Sequence, residues 1–441
     1  MQHLPQIIFV IIAGFFGFLI YKRVSFISKN IKMGQPAKLA DNKKQRLKNM
    51  VLIALGQKKM FKRIVPAILH FLIYIGFVLI NLEVLEIVID GIFGTHRIFA
   101  PFLGEFYSFL INFFEFLALG VLISCVFFLI RRNILKIKRF HKIEMKGWPA
   151  MDANLILVVE VVLMIAILAM NGADQLLQSR GADHYTLTGS FFFSGNLFSF
   201  LDSFDTATLI IVERSAWWFH IVGIFAFALY VTYSKHLHIA IAFPNTYFGR
   251  LVPQGQMDNM SEVTNEVKIM LGLPVEGDTS PPPEGMKFGA KDVNDLSWKN
   301  LMDAYACTEC GRCTSECPAN LTGKKLSPRK IMMDTRDRME DVGRKGLEDG
   351  KSLLGDYITK EEINACTNCN ACVEACPVMI NPLDIILQMR RYVAMEEAGS
   401  PASWNAMFQN VETNFAPWKF GAQDRFNWAD ELKAEKSQPA N

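Results

Sequence analysis

CTECGRCTSECP at 307–318 and CTNCNACVEACP at 366–377 are two copies of one pattern, C-x2-C-x2-C-x3-C-P. The first three thiolates of such a run leave one tight loop and reach three corners of a cube. The fourth is displaced by a short turn, is followed by proline, and serves the other cluster in two-cluster [4Fe–4S] ferredoxins. The spacing therefore predicts one cluster on Cys307, Cys310, Cys313 and Cys376 and a second on Cys366, Cys369, Cys372 and Cys317. Zinc sites of four cysteines use two separated C-x2-C pairs per metal and give no reason for the third cysteine or the C-x3-C-P. Of nine cysteines only Cys125 lies outside these runs. That grouping argues against a disulfide scaffold and for a metal site in a reducing compartment.

The flanking sequence reads as helix. SWKNLMDAYA precedes the first motif, and Thr359 with Glu362 forms a capping box ahead of the second. Ser327-Pro328 and Asn381-Pro382 place a capping side chain before a proline at the first helical position, starting IMMDTRDRM and LDIILQMRRYVAM. The motifs are separated by residues 319–365, too long an insertion for the compact βαβ unit of small ferredoxins, so an α-helical ferredoxin domain is expected over 300–395. Upstream, 246–299 is a polar linker carrying DTSPPPEG at 278–285, whose prolines continue neither helix nor central strand. Residues 396–441 form a C-terminal extension available for partner contact.

Residues 1–245 are of another kind. The chain is 51% hydrophobic with 35 Phe, only 20% charged, and its mean hydropathy is +0.20. Five stretches, near 5–21, 64–90, 106–130, 153–171 and 212–235, are long and apolar enough to cross a bilayer. The first lacks a basic n-region and a small-x-small cleavage site, so it is an uncleaved helix. Segment 22–63 holds 13 Lys or Arg against Asp41, and 131–146 holds seven against Glu144, whereas 91–105 and 172–212 hold one basic residue each. Positive-inside bias then places the N-terminus outside and the cysteine domain in the cytoplasm, in a multi-pass inner-membrane protein. These basic loops are the ordinary mark of topology, and nucleic acid is not an expected partner.

His70 lies about 10 Å into the second span at helical rise, and His238 ends the fifth at the same side. An imidazole inside a membrane is costly unless paired or liganded. Two facing each other from different helices suit axial ligation of a b-type haem. His236 is the alternative to His238. If the fifth helix is continuous, His220 shares the face of His238 five turns away and begins a second, outer haem site. Its partner is missing unless the outer loop folds His96 inward. Glu83, Glu86 and Asp90 lie on one face of the second span, suited to a proton path or a quinone-head site near the outer surface, or else to helix ends in water.

FHIVGIFAFALYVTYSKHLHIAIAFPN at 219–245, with the His70 span, resembles the cytochrome b-like membrane domain of respiratory nitrate reductase gamma and heterodisulfide reductase membrane subunits. CTECGRCTSECPANLTGKKLSPRK and CTNCNACVEACP resemble the dicluster domain of heterodisulfide reductase-like and anaerobic glycerol-3-phosphate dehydrogenase iron–sulfur subunits. The resemblance implies electron transfer between cytoplasmic iron–sulfur chemistry and the quinone pool, through two [4Fe–4S] clusters and haem b on His70 and His238. In that family the dicluster domain exchanges electrons with cysteine-rich CCG domains. This chain has no Cys-Cys pair, so a separate CCG subunit or a flavoprotein is the expected cytoplasmic partner. No Rossmann glycine signature, P-loop or hydrolytic triad points to organic substrate chemistry. Two rivals are a haemless membrane-anchored ferredoxin, separated by haem content, and a redox sensor or transporter-associated iron–sulfur protein, separated by quinol-dependent cluster reduction.

Overall fold

The computed structural model describes residues 3–37, 39–275 and 287–436; the proline run at 278–285 lies outside them. Among the described residues the fold is all-α, and β pairing is confined to isolated bridges at Gln35–Ser297 and Leu354–Ile358. Five helices, α1 (Leu4–Lys32), α2 (Ile64–Phe93), α3 (Glu105–Leu129), α4 (Trp148–Ser179) and α5 (Thr206–Val231), are long and apolar enough to span a membrane. Their surface confirms the solvent they are built for. Phe15, Phe109, Phe116 and Ile211 are exposed, while Glu115, Asn171 and Glu213 are buried. An apolar exterior around buried ionisable groups is the arrangement that suits helices facing lipid.

α4 packs between α3 and α5, and α2 packs on α3. A Cβ at Gly76 would meet the Val121 side chain at 2.4 Å, so that α2–α3 contact depends on a missing side chain. Phe9 of α1 is buried against Trp217, Trp218 and Phe225 of α5.

Two boundaries differ from the sequence reading. The basic segment from residue 22 is not all loop, because α1 stays helical to Lys32 and projects beyond the bundle. There Arg23 forms a bidentate pair with Glu340 at 2.7 and 3.1 Å, and Asn30 donates to the Tyr305 hydroxyl at 2.9 Å. The fifth span also ends early. α5 stops at Val231, a 3₁₀ turn covers Lys235–Leu237, and a new helix, α6 (His238–Tyr247), begins at His238. Asp152 of α4 causes the break: its carboxylate accepts from Ser234 Oγ at 2.7 Å and from Lys235 N at 3.4 Å, competing with helical hydrogen bonding. The expectation that His220 and His238 share one face of a continuous helix is therefore wrong.

The C-terminal half packs α7 (Trp298–Ala306), α8 (Pro328–Lys345), α9 (Lys360–Asn364) and α10 (Pro382–Met395) around Ile331, Met339, Leu353, Ile363, Ile386 and Met389. The caps hold as local chemistry demands. Ser327 accepts from Lys330 N, Asn381 from Asp384 N, and Thr359 and Glu362 form a reciprocal box. A further helix, α11 (Ala402–Asn414), follows.

Candidate functional site

Each cysteine loop leaves the end of a short helix, α7 or α9, and turns through left-handed residues: Glu309 (φ 55°) and Gly311 (φ 70°) in the first, Asn368 (φ 57°) and Asn370 (φ 60°) in the second. Glycine and asparagine tolerate that conformation, whereas for Glu309 it costs about 1–2 kcal/mol. A Cβ at Gly311 would fall 2.5 Å from the Arg329 guanidinium, so glycine is required there.

Cys307, Cys310, Cys313 and Cys376 line one cavity. Cys317, Cys366, Cys369 and Cys372 line another. Among the described residues no three His, Cys, Asp or Glu side chains gather closely enough to hold a single ion; the thiols surround a volume instead. All eight are unpaired; Cys369 alone among them is exposed. Backbone N–H groups of Asn368 and Ile380 donate to the sulfurs of Cys366 and Cys376 at 3.4 and 3.3 Å. Burial pushes the Cys307 and Cys372 thiols up to about 12 and Cys376 to about 11. Thiolates form in such pockets only when a cationic group compensates them, so loading releases protons.

Behind the first cavity lies an ion chain that the cysteine spacing does not announce. Glu309, buried between Cys307 and Cys310, accepts from Lys235 Nζ at 2.5 Å and from Arg336 at 2.7 Å. Lys235 also donates to the Pro149 carbonyl at 2.6 Å and lies 3.8 Å from Asp152. Burial by itself would push the Glu309 carboxyl up; Arg336 and Lys235 overcome it and hold the carboxyl below its ordinary range. The chain joins the α4 start, the α5–α6 junction and the cysteine loop.

That junction carries the histidines. The rings of His70 and His238 have centres 6.3 Å apart at an interplanar angle of 36°. His70 Nδ1 lies 3.0 Å from the Gln57 side-chain oxygen and His238 Nδ1 lies 3.2 Å from the Lys235 carbonyl. Those acceptors put the proton on Nδ1 and leave the Nε2 lone pair free. His236 packs on His238, with ring centres 5.7 Å apart, and meets Ser234 at 3.3 Å. His220 stands elsewhere, in the bundle core: its Nδ1 is 3.0 Å from the Leu163 carbonyl, and its Nε2 is buried without a partner.

At the opposite end of the bundle the loop after α2 does fold inward. Glu83 accepts from Arg97 at 3.2 Å, Glu86 from the Tyr107 hydroxyl at 2.7 Å and Phe99 N at 2.8 Å, and Asp90 from Arg97 N at 2.9 Å. His96 bonds Asp174 at 2.9 Å. Asp174 lies eleven residues, roughly 16 Å of helix, beyond Leu163. His96 is thus at a different level from His220 and does not complete that half-site. The polar set Asn171, Asp174 and Gln178, at helical spacing in an apolar span, was the sequence signal for this network. Glu309 also had a signal, a charge inside one C-x2-C where the other has Asn368.

With this geometry in place, comparison with known proteins is informative. The 4Fe-4S dicluster domain family matches residues 306–380. The chain is 27% identical over 460 residues to the probable iron–sulfur-binding oxidoreductase FadF of Bacillus subtilis, covering 96% of this chain and 61% of that one. It is 27% identical over 422 residues to the EtfAB:quinone oxidoreductase of Syntrophomonas wolfei, covering 88% and 54%. A probable membrane-anchored ferredoxin of Chromohalobacter salexigens is 30% identical over 169 residues, covering 33% of this chain and 24% of that one. The chain thus spans little more than half the length of the first two relatives. No solved structure matches it. A multi-pass membrane protein with a 4Fe-4S dicluster domain outside the bundle is the class these findings define.

Proposed function

We propose that the chain conducts single electrons between a soluble redox partner and the membrane quinone pool, with two [4Fe–4S] clusters and a haem b. The observation that carries this reading is adjacency. The cavity of Cys307, Cys310, Cys313 and Cys376 is tied through Glu309 to Lys235, one residue from His236 and three from His238, which faces His70.

The donor sets fit the groups. Each cavity offers four thiols and no competing carboxylate ligand except Glu309, which is already paired. His70 and His238, with ring centres 6.3 Å apart and Nδ1 atoms already engaged, are the residues that would hold a haem iron and tune its potential, His236 being the alternative to His238. Clusters and haem, when bound, exchange one electron at a time at potentials set by their surroundings. The rest falls to the protein: Cys369 opens one cavity to a soluble partner, while Arg312 and Glu309 tie the other to the bundle. His220, with Nε2 free, is the candidate for an outer haem. Glu83, Glu86 and Asp90 belong to a buried acidic face suited to proton passage or a quinone head group. The basic loops support an external N-terminus and a cytoplasmic cluster domain, with boundaries near 245, 299 and 395. The relative named as an EtfAB:quinone oxidoreductase supports the quinone end; a CCG-domain protein or a flavoprotein supplies the other.

Purified protein should show a low-spin b-type α-band that is lost in His70→Ala. Loss in His238→Ala but not in His236→Ala identifies the second ligand. A quinol analogue should change haem and cluster oxidation together. Intact clusters without haem would leave a membrane-anchored ferredoxin, and haem that never exchanges electrons with clusters or quinone would end the relay reading.

A further inference from the structure

The two cavities come from a repeated pattern, yet their walls differ in charge. Matching the cysteine runs position by position pairs Glu309 with Asn368 and Arg312 with Ala371; matching Ser327-Pro328 with Asn381-Pro382 pairs Arg329 with Leu383 and Arg336 with Arg390. The structure respects this correspondence: Arg336 reaches Glu309 at 2.7 Å and Arg390 reaches Asn368 at 3.0 Å, the same helix position serving the same loop position. The remaining differences are therefore differences between equivalent places.

The wall of the first cavity contains Arg312 and Arg329, 5% and 0% exposed. No charged side chain lines the second. Arg329 is balanced by Glu144 at 2.7 Å, but its buried Nε has no partner. Arg312 bonds only to the carbonyls of Lys59 and Met60, at 3.3–3.5 Å, and among the described residues no carboxylate pairs with it. The negative charge of Glu309 is answered by both Lys235 and Arg336. Beside the second cavity Arg390, also without a carboxylate partner among the described residues, stands behind the loop rather than in the wall, bonding Asn368 Oδ1 and the carbonyls of Ile363, Asn364 and Cys366.

A reduced cluster carries one more negative charge than an oxidised one, so its potential rises with nearby cations, with N–H donors to sulfur and with water. Water reaches the second cavity at Cys369 and favours that site. Against it stands the guanidinium of Arg312, fixed in the first wall itself without a carboxylate partner, where low dielectric and distance from salt leave its charge little screened; Arg329, neutralised by Glu144, adds less. From this contrast, and resting on the two-cluster reading above, we infer that Arg312 gives the cluster on Cys307, Cys310, Cys313 and Cys376 a higher reduction potential than the cluster on Cys317, Cys366, Cys369 and Cys372. One electron then settles at the site facing the bundle, with no bond made and no proton moved. Arg312 does this where its carbonyl partners lie just ahead of α2 and His70.

The test is an EPR-monitored potentiometric titration of the full-length protein, purified anaerobically in detergent, with Cys369→Ser assigning the exposed-site signal. Wild type should give two midpoints, the lower one belonging to the signal altered by Cys369→Ser. Arg312→Gln should lower the other midpoint by about 59 mV, a tenfold weakening of one-electron reduction, and Arg312→Lys should restore it. Ala371→Arg should raise the lower midpoint, which keeps the inference testable if Arg312→Gln loses its cluster. If the higher midpoint belongs to the Cys369 cluster, or if Arg312→Gln and Ala371→Arg move nothing while iron content is intact, the inference is wrong and the two-cluster reading stands. Wild type without reducible clusters overturns both.

Discussion

Removing the charge of Glu309 should loosen the cysteine domain from the bundle more than any other single polar change. Its two oxygens hold Lys235 at 2.5 Å and Arg336 at 2.7 Å, with the Lys235 and Glu309 side chains 5% and 3% exposed. Breaking a buried pair by deleting one partner costs about 3–5 kcal/mol. Glu309→Gln strands two cations, Lys235 keeping the Pro149 carbonyl at 2.6 Å with its nearest carboxylate Asp152 at 3.8 Å, and Arg336 keeping Asp337 at 3.6 Å, so it belongs at the upper end. Lys235→Met leaves Glu309 its Arg336 contact and belongs at the lower end. In a domain of this size about 1 kcal/mol shifts Tm by roughly 2–4 °C, so Glu309→Gln should melt about 10 °C below wild type, followed by loss of visible iron–sulfur absorbance. The double variant removes both charges and should melt well above the sum of the two losses, with a coupling of about 1–3 kcal/mol. The carboxyl sits below its ordinary range, so its contribution is complete above the unfolded carboxylate value, about 4.3, and disappears as pH falls through the folded one. The gap between wild type and Glu309→Gln should accordingly narrow in acid. Single variants melting within a degree or two of wild type, or strictly additive losses, would show that the ion chain does not join the two halves.

Cys317→Ala and Cys376→Ala should each leave the cluster of the other motif with three ligands and damage it, while their own motif's cluster keeps all four. Iron well below about eight atoms per chain in wild type, haem iron subtracted, would count against two [4Fe–4S] centres. Reporter fusions after residues 35 and 250 should behave as cytoplasmic and one after residue 190 as external; an internal report at 190 breaks the five-span arrangement. Ser327→Ala should cost about 1 kcal/mol through loss of its cap on Lys330 N, read as a small fall in melting temperature without a change in iron content.

How much of this was written in the sequence depends on the range of the interaction concerned. The five spans, the proline-led helix starts and the Thr359–Glu362 box rest on neighbours within a few residues, and they are legible because hydrophobic length and capping chemistry are local. The end of α5 was not, because Asp152, some eighty residues earlier, supplies the oxygens that unwind the chain at Ser234 and Lys235. A basic segment after a span likewise does not disclose that its first turns stay helical; Arg23 and Asn30 are held by Glu340 and Tyr305, more than 270 residues on. Spacing also specifies which thiols leave a loop together without specifying what stands behind them.

The contrast between the cavities lies between these extremes. Its residues are in plain view in the motifs, Arg312 against Ala371 and Glu309 against Asn368, but a charge beside a cysteine has no meaning until its partner is known. Arg329 and Arg312 read alike in one dimension. In three, Arg329 is neutralised by Glu144 while Arg312 rests on main-chain carbonyls ahead of α2. A neutralised guanidinium mainly orients a wall; an unneutralised one shifts the energy of whatever charge arrives beside it. Two equivalent thiol cages need not be interchangeable, and the repeat alone would have predicted that they are. What separates them stands in the cysteine domain, but what holds it comes largely from the membrane half: Lys59 and Met60 for Arg312, Arg139 and Glu144 for Arg329, and Lys235 for Glu309. Docking thus fixes where the Arg312 guanidinium stands beside the cavity, while the charge itself belongs to the cysteine domain.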